Sequence, residues 1–97
     1  GLPENLPRVM GADLAAEITV GSWPEQPVFG WLSEAGGIAA PEMRRTFNCG
    51  IGMAVIVDPD ASVDIRDACE SQGETVFEIG RVAARGSGQA VRFREAT

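Results

Sequence analysis

The hydrophobic positions of this chain change their period several times, and each change marks an element. Glu17-Ile18-Thr19-Val20 mixes apolar and polar residues over a short span closed by Gly21-Ser22, which predicts a brief strand. Past it, Val28, Trp31, Leu32 and Ala35 fall at the i, i+3, i+4, i+7 spacing of a helix. Pro27 stands at its first turn and Gly36-Gly37 at its end. A second helix is expected from Pro41 through Phe47, the two forming a corner that buries Trp31, Leu32, Met43 and Phe47.

The run Gly52-Met53-Ala54-Val55-Ile56-Val57 is apolar without alternation, which predicts a strand covered on both faces. Asp60 or Ser62 is placed to cap a helix over about 61–72, with Ile65, Ala68 and Cys69 on one stripe and Gly73 as its stop. Thr75 to Ile79 begins another strand, with room to continue through Gly80 to Arg85. After Gly86-Ser87-Gly88, the alternation of Ala90-Val91-Arg92-Phe93-Arg94 predicts a half-exposed edge strand. The second half therefore reads β-α-β-β, and the fold class α+β, with helices on a small mixed sheet.

The length of 97 residues allows a single domain, 1–97, with one modest core. The opening phrase from Gly1 to Arg8 is dense and starts without Met, as expected of a part of a longer protein. Hydrophobic residues make up 44% and charged residues 23%, a globular balance. Eight basic and fourteen acidic residues leave a net charge of −6, which argues against nucleic acid or an anionic membrane as partner, since both need a basic face. No apolar stretch reaches the roughly 18 residues of a membrane helix.

His and Lys are both absent, so every positive side chain is Arg. That removes a Ser-His-Asp triad, a His-ligated metal, a phosphate-loop lysine and a Schiff base. Cys49 and Cys69 match no zinc or redox spacing and read as reduced thiols of a cytoplasmic protein. Cys49 also lacks a basic partner and follows a helix C-terminus, where thiol pKa values are not lowered, so no catalytic residue is assigned. The acidic set Asp58, Asp60, Asp64 and Asp67 lacks the ligand order of a calcium loop and reads as helix-terminal charge, so no metal site is assigned.

Two phrases carry candidate binding chemistry. In Gly1-Leu2-Pro3-Glu4-Asn5-Leu6-Pro7-Arg8, two prolines stiffen a backbone bearing a carboxamide and a guanidinium. Asn5 and Arg8 beside a glycine amide suit a phosphate or another oxyanion, and an ordinary proline-rich surface turn fits the same residues. In Thr46-Phe47-Asn48-Cys49-Gly50-Ile51-Gly52, the two glycines admit a close backbone approach to a ligand. They fit equally a helix C-cap at Gly50 and a packing glycine at Gly52. Of the pair Arg44-Arg45, only one side chain can turn toward a cleft.

The order Gly-Leu-Pro-Glu-Asn-Leu-Pro-Arg-Val, Gly-Ser-Trp-Pro, Val-Phe-Gly-Trp-Leu, Glu-Met-Arg-Arg-Thr-Phe-Asn-Cys-Gly-Ile-Gly-Met and Ile-Gly-Arg-Val closely resembles the C-terminal end of the phosphoribosylformylglycinamidine cyclo-ligase (aminoimidazole ribonucleotide synthetase) family. The resemblance covers nearly the whole chain. It implies a C-terminal domain of three-layer α/β/α type with partial ferredoxin-like topology. It also implies an ATP-dependent ligase of purine biosynthesis, in which ATP activates the formyl amide oxygen of formylglycinamidine ribonucleotide and the amidine nitrogen closes the imidazole ring. ATP and Mg²⁺ would be held mainly by an N-terminal domain absent here, in a cytoplasmic homodimer, and this chain would be inactive alone. By the same resemblance, Gly1, Asn5 and Arg8 would complete a substrate-facing loop, with Asn48, Gly50 and Gly52 at the opposite edge of the cleft. Two other readings compete. Selenophosphate synthetase, hydrogenase maturation protein and thiamine monophosphate kinase share the domain fold but are not expected to carry the Thr46–Met53 block. A free-standing small-anion-binding or dimerisation module would need neither ATP nor a second domain.

Overall fold

The structure is a computed structural model that describes residues 1–95. Its centre is β1 (Leu14–Val20), flanked by β2 (Gly80–Ala84) and β3 (Val91–Glu95) in the order β2-β1-β3. β2 runs antiparallel to β1, with Leu14 opposite Ala84 and Ile18 opposite Gly80. β3 runs parallel to it, with Ala16 opposite Val91 and Val20 opposite Glu95. The chain thus leaves one edge of the sheet after Ala84 and crosses to the other edge within six residues. Arg92 holds that crossing by donating from Nη2 to the carbonyls of Ala84 (2.8 Å) and Arg85 (3.2 Å).

The expected 17–20 strand is real and longer, and it takes the central place. Ala15, Ala16 and Ile18 are buried there, and small alanines let neighbouring elements close on both faces. One face carries the core of Leu6, Ala16, Ile18 and Val91, with Leu2, Met10, Trp23, Ile79 and Phe93 packed around it. On the other face Glu17 sits between arginines: Arg81 Nε donates to its Oε1 at 2.9 Å, and Arg94 Nη1 lies 3.8 Å away. These contacts hold the Glu17 carboxyl below its ordinary range, the Arg81 hydrogen bond contributing most.

Both predicted helices of the corner form, as α2 (Pro27–Gly36) and α3 (Ala40–Thr46). Gly37 ends α2 in the left-handed region at φ 61°, where the missing Cβ removes the steric cost. The buried face of α2 is rotated from the expected one. Phe29 and Leu32 turn inward, whereas Val28 and Trp31 face out, Trp31 being 65% exposed. Val28-Phe29 and Trp31-Leu32 offer two adjacent apolar stripes. The contact of Phe29 with Phe47, ring centroids 6.1 Å apart, selects the second. Met43 is buried and Phe47 half-buried, as the corner requires.

Three expectations fail. The run 52–57 forms no strand: it is irregular and unpaired, with Met53 84% and Val55 59% exposed. An all-apolar strand needs neighbours on every side, and β1 already occupies the only central position in the sheet. Neither Asp60 nor Ser62 caps α4 (Ser62–Ser71) through its side chain. A 3-10 turn over Pro59–Ala61 leads directly into the helix, and the Ser62 hydroxyl donates to the Pro59 carbonyl instead. Finally, the strand expected from Thr75 begins only at Gly80, although Thr19 N–H still reaches the Ile79 carbonyl at 2.8 Å.

Candidate functional site

The opening phrase folds as two helical turns, α1 (Leu2–Asn5) and a 3-10 turn at Leu6–Val9, and not as an irregular loop. Pro3 and Pro7 each fall at the first turn of their helix, where the missing N–H costs nothing. Gly1 is pressed against the C-terminal end of α3. A Cβ there would overlap the Arg44 carbonyl and lie 2.6 Å from that of Phe47, so only glycine fits. The Gly1 nitrogen donates to the Arg45 carbonyl at 3.2 Å. Asn5 closes the same turn, its Nδ2 donating to the Gly1 carbonyl at 2.8 Å. Glu4 reaches across to Arg45 (3.5 Å), which Glu42 also holds from within α3.

The Asn48-Cys49-Gly50-Ile51 segment is a tight turn. Ile51 N–H donates to the Asn48 carbonyl (3.1 Å), and Gly50 N–H donates to Asn48 Oδ1 (2.9 Å). Both central residues have positive φ, 53° at Cys49 and 101° at Gly50, the mark of a type I′ turn. Gly50 is therefore no helix C-cap; Phe47 holds that position, in extended conformation. Gly52 packs against nothing, with open space around its Cβ position. Cys49 is a non-glycine residue in a conformation that costs an L side chain energy, and two contacts hold it there. Trp23 Nε1 donates to its carbonyl at 2.9 Å, and its Sγ lies 3.6 Å from the Met43 carbonyl. Burial pushes the Cys49 thiol above its usual range, with Arg44 offsetting part of the effect.

The six expected binding residues divide. Gly1 and Asn5 meet the end of α3, and the Asn48 turn follows directly from it. Gly50 faces the Trp23 indole, which lies 3.7 Å from its Cβ position. Arg8 is exposed and makes no hydrogen bond or ion pair among the described residues, and Gly52 lies in the open run. Between α1, β1, α2, α3 and β3 lies a pocket of about 330 Å³, which Leu2 and Asn48 line together with Trp23, Phe29, Phe47 and Phe93. Its sequence signal was weak, because the four aromatic residues come from separate elements. Trp23 entered the sequence reading only through the Gly-Ser-Trp-Pro phrase of the family resemblance. Among the described residues no helix is long and apolar enough to cross a membrane.

Residues 1–92 match the family described as AIR synthase related protein, C-terminal domain. The chain is 49% identical over 90 residues to a phosphoribosylformylglycinamidine cyclo-ligase from Methylobacillus flagellatus. That match covers 93% of this chain and 26% of the relative, so the chain spans about a quarter of the curated protein it resembles.

Proposed function

Because this chain belongs to the AIR synthase related protein, C-terminal domain, family, we propose that it is the C-terminal part of a two-domain ATP-dependent ligase. The proposed reaction closes formylglycinamidine ribonucleotide to aminoimidazole ribonucleotide in purine biosynthesis. The observation that carries this reading is the 49% identity to a cyclo-ligase along 93% of the chain. In this reading an N-terminal domain holds ATP and Mg²⁺, the intact enzyme is a cytoplasmic homodimer, and this segment forms one wall of the substrate cleft. Among the described residues no group of three His, Cys, Asp or Glu side chains could hold a metal, so these residues do not fit Mg²⁺.

What these residues contribute is binding and orientation. Arg8, exposed and without a partner among the described residues, would take the substrate phosphate, for which a guanidinium fork is well shaped. Asn5 spends its amide N–H₂ on the Gly1 carbonyl, which turns its side chain into a brace for the loop and leaves its oxygen for a ribose hydroxyl. Asn48 is fixed by its own turn, so its carboxamide is positioned with little entropy left to lose on binding. Gly1 offers backbone where a side chain would intrude, and Gly50 takes the positive φ that its turn requires.

The test is steady-state ring closure in an intact cyclo-ligase carrying this segment. Arg8→Ala is expected to raise KM for the ribonucleotide about tenfold or more with kcat little changed, as loss of a charged ground-state contact does. An unchanged KM removes Arg8 from the cleft.

A further inference from the structure

The neighbouring arginines 44 and 45 have separate fates. Arg45 is committed to Glu42 and Glu4. Arg44 turns into the aromatic pocket, its guanidinium carbon 4.5 Å from the centroid of the Phe93 ring. Among the described residues no carboxylate lies within salt-bridge distance of it, and its side chain makes no hydrogen bond. Arg44 is also the one cation lining the pocket. Glu25 lines the pocket too, but its Oε1 lies 3.6 Å from the Cβ position of Gly30, in the first turn of α2. The Glu25 carboxylate and the Arg44 guanidinium are the two charged groups of the lining.

A guanidinium stacked on a ring keeps its N–H groups in the plane of the stack, pointing past the ring edge. Here Arg44 lines, together with Trp23, Phe29, Phe47 and Phe93, a largely apolar hollow of about 330 Å³. That volume lies in the range of small-ligand pockets, and the lining has their usual form, mostly aromatic with a few convergent polar groups. A neutral apolar ligand would leave Arg44 half-buried without a partner. A small inorganic anion would leave four rings against water.

We propose that this pocket binds a flat aromatic carboxylate, its ring among Trp23, Phe29 and Phe47 and its carboxylate on Arg44. The pocket shares Asn48 with the proposed substrate wall, and the aromatic carboxylate is expected to bind there without ATP or the ribonucleotide.

The probes are 1-naphthoate and its neutral counterpart 1-naphthalenemethanol, titrated into the full chain. Binding is read from Trp23 fluorescence in a Trp31→Phe background, since Trp31 is exposed and not part of the pocket lining. Saturable quenching by naphthoate is expected, with an affinity about tenfold or more above that of the alcohol, as one charge-assisted contact provides. Arg44→Gln should bring the two probes to parity, whereas Arg45→Gln should leave the preference intact. Circular dichroism confirms that each variant is folded. Equal affinity for both probes in the parent chain, the same loss from Arg44→Gln and Arg45→Gln, or no saturable quenching would each overturn the proposal.

Discussion

Trp23 and Cys49, 26 residues apart, are joined by a 2.9 Å hydrogen bond from the indole nitrogen to the Cys49 carbonyl. The bond ties the loop before α2 to the turn after α3 and holds Cys49 in the left-handed region. Trp23→Phe keeps most of the apolar contact and removes the donor. It should cost about 1–2 kcal/mol, the sum of one unmade hydrogen bond and a smaller ring. Urea unfolding of the two proteins checks this. A change within error would mean that the turn holds itself.

The core and the exposed run should answer mutation differently. Ile18→Ala removes a side chain buried at the centre of the sheet and should cost about 2–4 kcal/mol. Val55→Ala, in the unpaired run, should cost less than about 0.5 kcal/mol, as for an exposed position. Similar losses from both would show that 52–57 is packed in solution after all.

Glu17 gives the protein an acid limb. Its carboxyl titrates below the ordinary range in the folded state because Arg81 and Arg94 favour the charged form. The folded state therefore binds this proton more weakly than the unfolded chain. The stabilisation is fully present above the unfolded value of about 4.3 and is lost as pH falls through the depressed folded value. Glu42 is lowered in the same way by Arg45 and adds to the trend. Glu17→Gln should flatten the decline in stability below about pH 4.3, measured by denaturant titration across the acid range. An unchanged slope would assign the acid limb elsewhere.

The Cys49 thiol should react slowly. With its pKa raised by burial, the thiolate fraction at neutral pH is smaller than in a free thiol. Alkylation of a Cys69→Ser variant by iodoacetamide at pH 7.5 should lag behind that of N-acetylcysteine by several-fold. A rate equal to or above the free thiol would place Cys49 among activated cysteines.

Local signals carried much of this fold. Pro27 and Gly36-Gly37 bounded α2 to the residue, Pro41 marked α3, and the alternation around Val91-Arg92-Phe93 identified an edge strand. The failures share one cause: periodicity states that a segment is apolar, not which segment wins a given place. The expected strand stopped short of Ala15-Ala16, yet these small buried residues belong to β1 at the centre of the sheet, and Met53 to Val57 are left without strand partners. The α2 stripe failed for a related reason, since only Phe47, eighteen residues beyond Phe29, chooses between two adjacent faces. In the candidate site, Gly1 and Asn48 were named through the family resemblance, while the contact of Gly1 with the end of α3 is a tertiary fact. Arg44 over Phe93 joins elements too distant for any local pattern to show.

The most direct test of the proposed function is a chimera in which this chain replaces the matching C-terminal quarter of the Methylobacillus flagellatus cyclo-ligase. ATP-dependent formation of aminoimidazole ribonucleotide would be followed by its diazotisable amine. The account predicts turnover within about tenfold of the parent enzyme, since a family member's segment should rebuild the same cleft wall. A chimera that folds and elutes as the parent does, but forms no product, would contradict it.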